Sequence, residues 1–134
     1  MTELFTAVSI GAGNVPSDLT NFPVLVSIPS DTDLAADAQP DFDDILFTAS
    51  DGTTKLSHEI EKYNATTGEL VAWVKVPTVS STADTVLYMY YGNATATSQE
   101  NGTDVWSNGY AGVWHLDESP ANGVAGHDDS TGNP

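Results

Sequence analysis

The chain has 134 residues, a formal net charge of −16 at pH 7, three lysines, and neither arginine nor cysteine. This length predicts one domain with a real core, and a hydrophobic content of 40% argues against a disordered acidic chain. The charge argues against nucleic acid and anionic membranes as partners, because binding either relies on clusters of Lys and Arg. The lack of cysteine excludes disulfides, thiol catalysis and cysteine metal sites.

Targeting signals are not apparent in the sequence. No stretch approaches the ~18 apolar residues of a membrane span, so we expect no membrane insertion. The start, "MTELFTAVSI", has no basic n-region and does not resemble a signal peptide. We therefore expect either a cytoplasmic chain or a leader that lies outside the sequence shown.

The first half of the chain contains three predicted strands. "LFTAVSI" (4–10) alternates, and "FPVLVSI" (22–28) is a dense apolar run whose proline suits a strand start. Residues 29–44 are mostly loop, in which "DLAADA" can form one helical turn at best. "ILFTA" (45–49) is a short strand, and the Asp-Gly of "SDGTTK" predicts a tight turn after it.

The second half continues the same pattern. A hairpin over 56–76 is followed by the strand "TVLYMYYG" (85–92) and by a last apolar run, "YAGVWHL" (110–116). Strands about every 8–15 residues with turn signals between them predict an all-β, antiparallel β-sandwich or jelly-roll-like fold. We expect residues 1–116 to form this domain and the Gly-, Asp- and Asn-rich residues 117–134 to form a polar tail outside the core.

The hairpin determines which side chains share a face. A turn at Ala65–Gly68 with a left-handed glycine bulge pairs Ala65 with Glu69. Counting outward predicts three cross-strand pairs: Tyr63 with Val71, Glu61 with Trp73, and Glu59 with Lys75. Leu56, His58, Ile60, Ala72, Val74 and Val76 then face the core.

The other face of this hairpin is the predicted ligand-binding site: Glu59, Glu61, Tyr63, Trp73 and Lys75. Aromatic rings stack on the C–H faces of sugars, and flanking carboxylates and Lys bind hydroxyls, so this face has the chemistry of a carbohydrate platform. The structural alternative is an outer sheet where Trp73 packs under a loop and Glu59 pairs with Lys75.

Four segments of the chain resemble one family: "VPSDLTNFPVLVSI", "DFDDILFTASDGTTKLSHEIEKYNATTGELVAWVKVP", "DTVLYMYYGN" and "YAGVWHLDE...DSTGN". Together they are similar to domain of unknown function 2341, over roughly residues 8 to 116. That family occurs in large secreted or surface proteins, often just before a laminin-G or concanavalin-A-like domain. The resemblance implies a secreted or cell-surface β-sandwich in a carbohydrate-binding or adhesive context. The family's usual aromatic-basic first strand is replaced here by "ELFTAVSI".

Other candidate sites are weaker. Asp41, Asp43 and Asp44 are hard oxygen ligands on a loop and predict a Ca²⁺ site, although no segment has the twelve-residue calcium-loop spacing. The alternative is a set of solvated or capped turns. His58 is predicted to be a buried, hydrogen-bonded core residue.

Catalysis is not expected. Glu59 and Glu61 would lie ~7 Å apart on one strand face, and Lys75 would keep both ionised, which does not suit a general acid.

Two functions follow from the sequence. The first is a noncatalytic extracellular module that binds a glycan or another surface protein. The second is a structural subunit of a surface assembly that pairs through a sheet edge or through 110–116.

Overall fold

Two antiparallel sheets packed face to face form the protein, in a computed structural model that describes residues 4–116 and 128–133. The strands of the described residues are β1 (Leu4–Ile10), β2 (Leu19–Ile28), β3 (Leu46–Ala49), β4 (Lys55–Leu56), β5 (His58–Asn64), β6 (Glu69–Val79) and β7 (Thr85–Tyr91). The helical segments are a 3-10 helix (Ala12–Asn14), α1 (Thr32–Asp37) and α2 (Gly102–Val105).

The strand order confirms the predicted all-β sandwich. One sheet has four strands in the order β1-β7-β3-β4, and the other has three in the order β2-β6-β5. Every pairing in both sheets is antiparallel. No helix in the described part of the chain has the length and hydrophobicity to cross a membrane.

The core lies between the sheets and follows the two-residue period of a strand. Along β6, every second residue from Leu70 to Val76 is buried. Phe47 of β3 and Met89 of β7 are fully buried on the facing sheet. This alternation leaves one outer face on each sheet, and these two faces carry the candidate sites.

The apolar run 110–116 forms no strand in the structure. Val113 donates its backbone N–H to Asp129 Oδ1 at 2.9 Å, and its carbonyl accepts from the Ser130 N–H at 2.9 Å. The backbone of this run is therefore bound by residues 128–133 rather than by a sheet. The rest of the predicted tail, residues 117–127 and 134, lies outside the described residues.

Candidate functional site

The outer face of the three-stranded sheet carries most of the predicted ligand-binding residues, and we call it the carboxylate face: Glu59, Glu61, Trp73 and Lys75. Glu59 lies opposite Trp73, and Trp73 lies opposite Leu25 of β2, so these three form one row across the sheet. Lys75 is in the next row, where its backbone N–H donates to Ser57. The structure thus brings together four of the five predicted residues.

The predicted hairpin register is wrong by two successive one-residue shifts, and their sum of two keeps the same side chains on the core face. The loop has four residues rather than three, because Asn64 pairs with Glu69 and accepts the Gly68 N–H at 2.8 Å. A bulge between Ile60 and Lys62 adds a second one-residue shift in the same direction, so Ile60 pairs with Ala72 and not with Val74. The core face of the hairpin is therefore as predicted, whereas the individual pairs are not.

Tyr63 is the residue that this bulge removes from the predicted face. It pairs with Leu70, packs against the core, and donates its hydroxyl to the Leu34 carbonyl at 3.2 Å. Its ring also contacts Phe42 edge-on, with centroids 6.1 Å apart. Burial raises the pKa of this phenol. Tyr63 is therefore a core-packing residue and not part of the carboxylate face.

Glu59 is held by the chain that follows the last strand. Its Oε2 accepts the indole N–H of Trp106 at 2.5 Å and lies 3.2 Å from His115 Nε2. Its Oε1 accepts the Ser130 hydroxyl at 2.6 Å. Both oxygens of this carboxylate are thus engaged within the protein, by groups that come from three separate parts of the C-terminal chain.

Glu61 completes the attachment. Its Oε2 accepts the Trp73 indole N–H at 2.7 Å and lies 3.3 Å from His115 Nδ1. The two ring nitrogens of His115 therefore face two different carboxylates. Both can donate only when the imidazole is doubly protonated, whereas a neutral ring serves one of them.

Trp106 covers the centre of the carboxylate face. It is 5% exposed, and its ring centroid lies 5.2 Å from that of Trp73 and 5.3 Å from that of Tyr110. The ring of Trp73, on which a sugar would have to stack, is therefore covered by the indole of Trp106. The arrangement on this face corresponds to the structural alternative, in which Trp73 packs under a loop.

Lys75 is paired, but not with the predicted partner. Its ammonium lies 3.1 Å from Asp104 Oδ1 and donates to the Ser107 hydroxyl at 2.9 Å. The Ser57 hydroxyl, followed by the Lys75 ammonium, lowers the pKa of Asp104 below its usual value. Asp104 lies in α2, so this contact also fastens the C-terminal chain to the sheet.

A second site lies on the outer face of the four-stranded sheet, and we call it the aromatic face: Phe5, Tyr88 and Tyr90. Phe5 is 62% exposed, and its ring centroid lies 5.8 Å from that of Tyr88 and 5.7 Å from that of Tyr90. Phe5 lies directly opposite Tyr90 in the β1–β7 pairing. Sequence reasoning missed this face, although the alternating "LYMYY" of β7 places both tyrosines on one side of the strand.

Polar groups border the aromatic face. Tyr90 lines a cavity of about 120 Å³ together with Asn93 and Gln99. Lys55 lies in the same cross-strand row as Tyr88 and donates to Gln99 Oε1 at 2.8 Å. The Tyr90 hydroxyl lies 3.5 Å from the Gly52 carbonyl oxygen, which is the outer limit for a hydrogen bond.

The three aspartates predicted to bind Ca²⁺ do not form a cluster. Asp44 is 3% exposed, and its carboxylate accepts the backbone N–H groups of Gln39, Gly92 and Asn93 at 2.7 to 3.0 Å. It joins two loops, as a capping residue does. Within residues 4–116 and 128–133, no group of three or more acidic or histidine side chains is placed to hold a metal.

His58 is a core residue, as predicted, but it lacks the predicted hydrogen bonds. It is fully buried, its ring packs edge-on against Phe47 at 5.3 Å, and neither ring nitrogen has a hydrogen-bond partner among the described residues. Burial, and secondarily the charge of Lys55, lowers its pKa to about 4. His58 is therefore a neutral core side chain near pH 7.

Comparison with known proteins gives one match. The sequence profile described as domain of unknown function (DUF2341) matches residues 41–127, which is more than half of the chain. Searches of the curated proteins and of the solved structures give no match.

Proposed function

Because the chain belongs to the DUF2341 family, whose description assigns no activity, we propose from its own surface that it is a noncatalytic extracellular module that binds carbohydrate. The observation that carries the proposal is the exposed ring of Phe5 beside Tyr88 and Tyr90 on an outer sheet face. This moves the proposed binding site from the carboxylate face to the aromatic face.

The chemistry of the aromatic face favours a sugar. The Phe5 ring presents a flat apolar surface for the C–H groups of a pyranose. Asn93 and the Tyr90 hydroxyl line the adjacent cavity and can exchange hydrogen bonds with sugar hydroxyls, whereas Gln99 is already bonded to Lys55 and to the Thr97 carbonyl. A few aromatic rings with convergent polar groups are the usual composition of a small-molecule site.

The carboxylate face supports a structural role better than a catalytic one. A glycosidase needs one carboxyl that donates a proton and one that attacks or activates water. Here Glu59 is bonded by Trp106 and Ser130, and Glu61 by Trp73. We therefore propose that the module has no catalytic activity, and that it acts where it meets glycans, in a secreted or cell-surface location.

The test is a glycan array followed by calorimetric titration of the best glycan in solution. Phe5→Ala should weaken binding about tenfold or more, which corresponds to ~1.4 kcal/mol. Phe22→Ala is the matched control, since Phe22 is an exposed phenylalanine on a strand of the other sheet, and it should bind as the unaltered protein does. Absence of any bound glycan, or equal binding by Phe5→Ala, would contradict the proposal.

A second candidate function is a structural subunit that assembles through a sheet edge. The observation that favours it is the composition of two of the four edge strands: β1 and β2 contain no charged residue, whereas β4 and β5 do, and the chain has 22 charged residues in all. Natural sheets commonly protect open edges with charges, so an edge without them is suited to pairing with another strand.

A further inference from the structure

One edge strand of each sheet, β1 and β2, lies on the same side of the sandwich. β1 pairs only with β7, and β2 only with β6, among the described residues. Ile10 of β1 and Val24 of β2 line the same cavity, of about 420 Å³. An approaching molecule would therefore meet two strand edges and an apolar cavity at once.

The lining of this cavity is mostly apolar and contains no charged residue. The residues that line the cavity are Ile10, Asn14, Val15, Pro16, Leu19, Phe22, Pro23, Val24, Leu25, Trp73 and Val79. Phe22 is 40% exposed and Leu25 is 48% exposed at its border. The carboxylate nearest in sequence, Asp18, is bonded to the backbone and hydroxyl of Ser81.

The available part of the β2 edge is seven residues long. The Asn108 side chain donates to the carbonyls of Thr20 and Asn21. These two backbone acceptors at the start of β2 are therefore already bonded. The stretch from Phe22 to Ile28 remains, and Leu25 is its midpoint. Pro23 lacks an N–H, which suits an edge strand and removes only one donor.

We propose that the β2 edges of two copies of this chain pair antiparallel, about a two-fold axis at Leu25. The inference rests on the second proposed function and supplies its partner. The charge distribution selects a second copy: two molecules that each carry −16 repel at acidic surfaces and can approach closely only where charge is absent. A cationic partner would instead be attracted to the acidic loops.

The two-fold arrangement matches the sequence of β2. With Leu25 opposite its own copy, Phe22 lies opposite Ile28, and Val24 lies opposite Val26, across the new pairing. All four of these residues alternate on the core side of the strand, so the apolar layer would continue from one copy into the next. An isologous contact of this kind closes as a dimer.

Cysteine cross-linking tests the register directly, because the chain has no cysteine of its own. In Leu25→Cys, the two sulfurs would be on directly opposed residues, within the range of a disulfide. In the matched control Ser27→Cys, the two residues would be four positions apart along the strands, about 13 Å, which is too far. We expect a covalent dimer from Leu25→Cys alone.

Light scattering on the full chain tests the association itself. Raising NaCl from about 0.1 M to 1 M shortens the Debye length from about 10 Å to about 3 Å, so the dimer dissociation constant should fall roughly tenfold. Leu25→Asp should raise this constant at least about tenfold, because like charges would face each other. Thr66→Asp adds the same charge at an exposed turn and should have no such effect.

The outcomes separate the inference from the function on which it rests. Molecules that stay monomeric at every salt and protein concentration would overturn both. Association that Leu25→Asp leaves unchanged in a variant that still melts cooperatively, or cross-linking by Ser27→Cys instead of Leu25→Cys, would overturn the β2 pairing alone.

Discussion

The indole of Trp106 donates a 2.5 Å hydrogen bond to Glu59, and this contact fastens the chain that follows β7 to the middle of the three-stranded sheet. His115 and Ser130 reach the same carboxylate from further along the chain. A face that the sequence presents as a binding platform is therefore an internal contact surface. The outer face of the other sheet stays available for a ligand.

The first prediction concerns the partner of Lys75. In a double-mutant cycle, Lys75→Met and Asp104→Asn should be coupled by about 0.2–1 kcal/mol in the free energy of unfolding, because the pair is only partly exposed. Lys75→Met and Glu59→Gln should be additive within about 0.3 kcal/mol, because they occupy diagonal positions about 7–8 Å apart. Urea unfolding measures both. A larger coupling with Glu59 than with Asp104 would contradict the observed register.

The second prediction concerns Gly68. Its φ is +67°, and an added Cβ would lie 1.9 Å from the Asp31 carbonyl oxygen, so any side chain meets the backbone of another loop. Gly68→Asn should cost about 1–3 kcal/mol even though Asn tolerates positive φ. Gly109→Asn is the control: φ is +84° there, and no atom lies within 4 Å of the added Cβ. Equal melting temperatures for the two variants would contradict this account.

The third prediction is a pH dependence that comes from His58. Its pKa is lowered to about 4, whereas the unfolded chain protonates near the ordinary 6.5. The unfolded state therefore binds the extra proton between these values, and stability falls as the pH falls from about 6.5 to about 4, by on the order of 3 kcal/mol. Below about pH 4, His58 is protonated in both the folded and the unfolded state and causes no further loss of stability.

His58→Leu isolates that contribution. The variant should be more stable at pH 7 by about 1–3 kcal/mol, since it removes a buried polar group without partners. Its advantage should grow as the pH is lowered to 4. Chemical denaturation at several pH values gives the difference, and an advantage independent of pH would show that His58 is not the titrating group.

The fourth prediction concerns cations. The chain has 19 acidic residues and only three lysines, so its carboxylates repel one another and the melting temperature should rise with NaCl through screening. Because Asp44 is used by backbone donors, we expect Ca²⁺ and Mg²⁺ at matched ionic strength to act equally. A larger shift with Ca²⁺ would support the calcium site predicted from Asp41, Asp43 and Asp44.

The strand pattern could be predicted from the sequence because two-residue alternation and turn residues are local signals. Strands 4–10 and 85–92 were predicted to within one residue of β1 and β7. The bulge at Glu61 has no local signal, since it depends on how the strand fits against its neighbours. That single inserted residue moves Tyr63 to the core side.

The sequence could not predict that the C-terminal chain covers the carboxylate face, because this too depends on contacts between distant residues. Trp106 and His115 reach Glu59 across sequence separations of 47 and 56 residues, and nothing in either segment alone specifies this contact. The aromatic face depends equally on a long-range pairing, because Phe5 meets Tyr88 and Tyr90 only when β1 joins β7. Its residues are individually visible in the sequence, but their adjacency is not.

The location of glycan binding is tested most directly by NMR of the aromatic side chains during titration with the best glycan from the array. We expect shifts in the ring signals of Phe5, Tyr88 and Tyr90, with the indole N–H signals of Trp73 and Trp106 unchanged. Shifts confined to those two indoles, with the Phe5 ring unaffected at saturation, would contradict this expectation and return binding to the carboxylate face.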